Sequence, residues 1–213
     1  KELKIRKARE SFWEFCKAVH PSFFKESRWH LKRMCNDLQD FHDNKLINPK
    51  TGLPYQNMSI NIPPRHGKSF TATLFAQWLF GRDKSKQIIT VSYGQALSIR
   101  FSQNVRDGIS QDKGEGLDIT FSDVFPDVNI KHGDASKQMW ALEGNQLQNY
   151  YATSFSGAIT GMGCQLGIID DPIKDSSEAY NMNLLQEKLD WYNNTFLSRV
   201  EKGGKKIVIA TRW

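Results

Sequence analysis

The chain has 213 residues, 39% apolar and 12% aromatic, which is enough for one large domain or two small ones with a real core. A net charge of +6 suits an anionic partner such as nucleic acid or nucleotide, although a solvated basic surface gives the same balance. No apolar run approaches the roughly 18 residues of a membrane span, and Lys1–Lys7 lacks a signal peptide's apolar segment. Cys16, Cys35 and Cys164 lie far apart with no CxxC, so they read as reduced intracellular thiols and not as zinc ligands.

Residues 1–45 read as helical. Phe12, Phe15, Cys16 and Val19 recur at helical spacing, and His20-Pro21 ends the run. A second helix fits Arg28 to Phe41, with Leu31, Met34, Leu38 and Phe41 on one face. Trp29-His30 opens it and offers an aromatic ring and an imidazole to a nucleotide base; the plain alternative is that Trp29 is core. Asn-Pro, Thr-Gly and Leu-Pro mark turns between Asn44 and Asn57.

Ile60-Asn61-Ile62 then reads as a short strand, Pro63-Pro64-Arg65-His66-Gly67-Lys68-Ser69 as a tight loop, and the Phe70–Leu74 run as a helix ending near Gly81. Strand, Gly-Lys-Ser turn and helix together make a phosphate-binding loop. Backbone N–H groups and the helix N-terminus cradle a polyphosphate, the Lys reaches its outer phosphates and the Ser hydroxyl binds Mg²⁺. The full pattern has Gly five residues before Gly67, where Ile62 stands, so an ordinary helix start is the competing reading.

Gln87–Ser92 is a strand by its β-branched content, and Tyr93-Gly94 turns into a helix from Gln95 to about Ser110 that carries Arg100 and Arg106. Gln111–Gly116 is polar loop and Leu117–Gly133 is irregular. Gln138–Leu142 and Gln146–Thr153 fit a hairpin around Glu143-Gly144-Asn145. Ser156–Gly163 is a small-residue loop suited to approaching a ligand or partner.

Leu166–Ile169 is an apolar strand that ends in Asp170-Asp171-Pro172, about 100 residues after Lys68. In a P-loop ATPase such a strand lies beside the loop-bearing strand; its terminal Asp holds Mg²⁺ and the next acid activates water. A strand entering an Asx turn is the alternative. Glu178–Leu197 has a helical period in Leu184, Leu185, Leu189, Tyr192 and Phe196, Gly203-Gly204 reads as a turn, and Lys205–Trp213 as a strand tipped by Thr211-Arg212. An end on a strand tip gives the chain the look of a fragment of a longer protein. The alternation of strands and helices predicts an α/β fold, a mostly parallel sheet flanked by helices, with ligand at the carboxyl ends of the strands, where Lys68, Asp170 and Thr211 all fall.

Read together, Pro-Pro-Arg-His-Gly-Lys-Ser, Gly-Ala-Ile-Thr-Gly-Met-Gly, Ile-Ile-Asp-Asp-Pro-Ile-Lys-Asp and Ala-Thr-Arg-Trp resemble the ATPase domain of a bacteriophage large terminase, from about Ser11 to Trp213. The resemblance implies a P-loop NTPase of the additional-strand, RecA-like kind. Residues 1–45 would be a helical segment with the adenine-side motif, and residues 46–213 the ATPase core. It implies a motor that uses ATP and Mg²⁺ to drive double-stranded DNA into a procapsid in the host-cell cytoplasm. Its partners would be further copies of itself in a ring, a portal protein and a small terminase subunit, with no membrane. The resemblance also implies that the family's nuclease domain, with a ribonuclease-H-like fold, is missing here, so the chain itself is expected not to cut DNA.

By the same resemblance, Pro64, Arg65, His66, Gly67, Lys68, Ser69 and Phe70 bind the nucleotide, with Trp29 and His30 at its base. Lys68, Arg65 and Asp171 are catalytic, and Ser69 and Asp170 hold the metal. Thr211-Arg212 is the coupling motif. Asp171 stands where many members carry the longer Glu, which leaves room for help from Asp175 or Glu178. An arginine finger from a neighbouring subunit is also implied. No Arg occurs between Arg106 and Arg199, so Arg100, Arg106 and Arg199 are the candidates, each equally readable as surface. A helicase-type nucleic-acid translocase and a non-catalytic nucleotide-binding assembly module are the alternative functions.

Overall fold

A computed structural model describes residues 1–111, 118–133, 136–159 and 161–211. Thr160 of the small-residue loop, Arg212 of the coupling motif, and all but Gln111 of the expected polar loop lie outside the described residues.

The chain opens with α1 (Glu2–Glu10) and α2 (Phe12–Val19), broken at Ser11, whose extended backbone ends one helix and whose Oγ accepts from Glu14 N to start the next. α3 (Trp29–His42) buries the expected face of Leu31, Met34, Leu38 and Phe41. Then come β1 (Asn57–Asn61), α4 (Lys68–Arg82), β2 (Ile88–Ser92), α5 (Gln95–Ile109), α6 (Phe121–Val124), β3 (Met139–Trp140), β4 (Tyr150–Ser154) and β5 (Cys164–Asp170). α7 (Ser176–Ala179), α8 (Met182–Trp191), a π turn over Tyr192–Phe196, a 3-10 turn over Leu197–Arg199 and β6 (Val200–Ala210) complete it.

The six strands form one sheet in the order β1-β6-β5-β2-β4-β3. All pairings are parallel except β3 against β4, where Trp140 opposes Tyr150. The expected hairpin therefore exists, with its second strand beginning four residues later than Gln146. The acidic strand β5 does not lie directly beside the loop-bearing strand: β6 is inserted between them. Burial explains the order. Ile207 and Ile209 are buried on one face of β6 and Val208 packs on the other, as an interior strand requires. β1 exposes Asn57, Ser59 and Asn61 and tolerates an edge.

The two faces are covered unequally. Helices α1–α6 bury one face, with Ile88, Ala152, Ile168, Ile207 and Ile209 from the sheet in the same core. The other face carries a smaller cluster of Ile89, Val91, Ile159, Met162, Cys164, Ile169 and Phe196. The expected long helix over Glu178–Leu197 is broken, because the Asn181 side chain accepts from Asn183 N and Leu184 N and starts α8 afresh. α8 buries none of its residues, and Leu184 and Leu189 are exposed. The segment meets the sheet only near Trp191, Tyr192 and Phe196. Gly203-Gly204 is likewise not a turn between elements. Gly203, at φ 81°, sits in a bulge of β6, where the register with β5 slips between Cys164↔Val200 and Leu166↔Lys205.

Phe196 reaches the sheet because position 167 has no side chain: a Cβ on Gly167 would lie 2.3 Å from the Phe196 ring. Gly167→Ala is expected to destabilise the fold by about 1–3 kcal/mol, which lowers Tm by several degrees in a thermal melt. A melt superimposable on the parent's would show that Phe196 does not need this gap.

Candidate active site

The loop after β1 is shaped by its backbone. Pro63 and Pro64 fix φ at its entry, and Arg65 (φ 65°) and Gly67 (φ 84°) both take the left-handed conformation. Only glycine suits position 67, since a Cβ there would also lie 2.8 Å from the Phe23 ring. α4 begins at Lys68 with no side-chain cap, so its first N–H groups and the positive end of its dipole face the loop. His66 closes the loop through Nδ1 against Pro64 O at 2.9 Å. The Phe70 ring is committed elsewhere: it packs on His20, Phe23 and Phe24, with centroids 4.9–5.8 Å away, and ties α4 to the N-terminal segment.

Asp170 is the last residue of β5, in register with Ile209 of β6. Ser69 Oγ donates to its Oδ1 at 2.9 Å. The residue is only 2% exposed, and burial, aided by the neighbouring Asp171, pushes its carboxyl up from 3.8 to about 6 against the pull of Ser69 and Lys68. A buried acid held by one hydroxyl beside a phosphate-type loop fits a divalent cation, whose charge would compensate it. Among the described residues no group of three or more His, Cys, Asp or Glu is placed to hold a metal. A Mg²⁺ ion bound mainly through water and phosphate needs no such cage.

Asp171 is held in the left-handed region, at φ 45°. Its N–H donates to Ile209 O at 2.9 Å and its carbonyl accepts from Tyr93 N at 3.2 Å, so β6 and the end of β2 fix it from both sides. Asp and Asn tolerate this conformation better than longer side chains do, which accounts for the short acid here. Asp171 Oδ1 lies 3.2 Å from Lys68 Nζ, and Lys68 Nζ also donates to Thr211 Oγ1, one residue beyond β6. One buried ammonium thus touches groups carried by β5 and β6.

The other candidates are placed less centrally. Trp29 is 69% exposed and not core. Its ring lies 6.1 Å from that of His30, which is 5.9 Å from that of His66. Trp29 and His30 line a cavity of about 430 Å³ with Arg33, Met34 and residues 58–62 of β1 and the loop entry. Asp175 caps α7, accepting from Ser177 Oγ and Glu178 N. Glu178 is ion-paired to Lys188 at 2.6 Å and accepts from Lys174 N. Both acids are engaged in local structure. Arg65 and Arg100 are exposed, Arg106 donates to Ser136 O at 3.1 Å, and Arg199 precedes β6 at the opposite end of the sheet. Tyr93 is a member that sequence reasoning took only for a turn residue; its part is played by a backbone N–H that no side-chain pattern reveals.

A family model described as terminase large subunit, T4likevirus-type, N-terminal, matches residues 59–209, most of the chain and all of the sheet but its first two residues and last one. The crystal structure of the HK97 bacteriophage large terminase aligns at 14% identity with a TM-score of 0.47, covering 80% of this chain and 32% of that one. The bacteriophage Phi-29 viral genome packaging motor assembly aligns at 14% identity with a TM-score of 0.43, covering 73% of this chain and 42% of that one. The chain therefore spans less than half the length of either. No curated protein matches. The chain belongs to the terminase large subunit family, as a T4likevirus-type N-terminal region.

Proposed function

We propose that this region is the Mg²⁺-dependent ATPase of a DNA-packaging motor, hydrolysing ATP to drive double-stranded DNA into a procapsid. The observation that carries the reading is the meeting of Lys68, Ser69, Asp170, Asp171 and Thr211, remote in sequence, at the carboxyl ends of the strands. Lys68 and the backbone N–H groups of Arg65 to Phe70, in the loop that Pro64 enters, hold the phosphates, and Arg65 adds charge at the loop's exposed side. Ser69 and Asp170 hold Mg²⁺, which when bound neutralises charge on the outer phosphates. Asp171 orients the attacking water. Trp29 and His30 flank the base, and Thr211-Arg212 reads the state of the γ-phosphate.

In this reading the region works in a ring of its own copies, docked on a portal protein and served by a small terminase subunit. An Arg in trans raises turnover by about 10³–10⁵-fold. Arg100 is the favoured finger, since Arg106 is tied to Ser136 and Arg199 lies at the wrong end of the strands. Among the described residues no helix is long and apolar enough to cross a membrane.

Lys68→Ala is expected to abolish phosphate release; parent-like ATPase in that variant would remove the assignment. Asp171→Asn keeps a side chain suited to the left-handed backbone while breaking the ion pair to Lys68. It should bind nucleotide at least as tightly as the parent yet lose turnover by about 10²–10⁴-fold; normal hydrolysis would move the base elsewhere. Asp170 supplies a pH test. Its carboxyl holds its proton up to about 6 in the folded chain, above the 3.8 of an ordinary Asp. The folded state thus binds the extra proton between those values, and stability from this group is lost as pH rises through that window. In EDTA, Asp170→Asn should melt above the parent at pH 7.5, with the gap closing towards pH 4. A variant less stable at both pH values would contradict the buried-charge account.

A further inference from the structure

Among the described residues, three buried side-chain polar atoms lack a hydrogen-bond partner: Ser92 Oγ, Gln148 Oε1 and Arg199 Nε. The last two belong to larger polar groups and lie just before the amino ends of β4 and β6. Ser92 has no other side-chain polar atom and is the last residue of β2, at the carboxyl ends of the strands. It is fully buried. Its backbone carbonyl is satisfied by Phe155 N, so only the hydroxyl is left over.

Register places that hydroxyl. β2 and β5 pair in parallel through Val91↔Ile169, so the next rung of the ladder sets Ser92 opposite Asp170. Adjacent parallel strands lie about 4.8 Å apart and opposed side chains share a face. The face is the one that carries Ile88 and Ile168, under α4 and α5. Other buried hydroxyls on that side are bonded: Thr90 to the Tyr150 hydroxyl, Ser98 to Gln95 O, Ser102 to Trp140 Nε1, Thr71 to Gly67 O and Thr73 to Ser69 O. The great majority of buried side-chain polar atoms have a partner, ordered water and ions included. Ser92 is the exception, and it stands beside the one buried acid of the site.

We propose that Ser92 is a positioning residue of this site, its hydroxyl holding a water in the coordination shell of the divalent ion bound at Ser69 and Asp170. The inference rests on the Mg²⁺–nucleotide reading above. Mg²⁺ bound by one or two protein oxygens keeps several waters, and those waters need oriented partners in the surrounding shell. Ser69 supplies one side of Asp170; Ser92 supplies the other, from a strand that carries no further acid at its tip.

The test is Ser92→Ala. Affinity for ADP and for a non-hydrolysable ATP analogue is measured with Mg²⁺ and in EDTA, together with Tm in EDTA without nucleotide. Affinity in Mg²⁺ is expected to fall on the order of tenfold, while affinity in EDTA is unchanged. The nucleotide-free Tm should hold or rise, because replacing an unpartnered buried hydroxyl by a methyl hydrogen removes a desolvation penalty. Equal losses with and without Mg²⁺, an unaltered Mg²⁺ dependence, or a lowered nucleotide-free Tm would each overturn the proposal. A parent chain that binds no nucleotide in Mg²⁺ would instead overturn the ATPase reading and this proposal with it.

Discussion

A buried ammonium has to be compensated, and at Lys68 the compensation comes from two strand ends at once: the Asp171 carboxylate beyond β5 and the Thr211 hydroxyl beyond β6. That requirement organises the molecule. β6 must run beside β1 to bring Thr211 to the start of α4, and β5 must run beside β6 to bring Asp171 to the same point. In the ATPase reading proposed above, a phosphate at the loop would compete with Asp171 and Thr211 for the same ammonium.

The two adjacent carboxylates are assigned to different environments by one step of backbone. Asp170 continues the strand and turns into the core side, where burial weakens its acidity. Asp171 breaks into the left-handed region and meets an ammonium at a half-exposed position. Neighbouring acids whose surroundings differ in this way are suited to separate chemical tasks. The separation depends on hydrogen bonds from both flanking strands to the Asp171 backbone, not on the side chains themselves.

Much of this was legible in the sequence, because local chemistry encodes it. Gly67-Lys68-Ser69 needs its glycine for backbone reasons, Asp170-Asp171 follows an apolar run, and β2 is all β-branched residues up to its serine. Strand order was not legible in the same way. Nothing local tells β6 to pair with both β1 and β5; its two-sided burial decides that only once the sheet is assembled. The apolar period through Leu184 and Leu189 promised a buried face, yet α8 leaves both exposed and the segment packs on the sheet only from Trp191 onward. Gly203-Gly204 has the composition of a turn, and a bulge uses the same positive φ. Ser92 carried no signal at all, since a serine ending a strand is ordinary until its neighbours are known.

The bulge at Gly203 gives β6 two mechanical halves. From Lys206 to Ile209 the strand is zipped to a ladder on either side, so sliding it would break both ladders at once. On the far side of the bulge the ladder to β1 is gone and a single glycine sets the bend. A load on Thr211 thus enters β1, β6 and β5 together, while the bulge lies at the end of β6 away from the loop between β1 and α4.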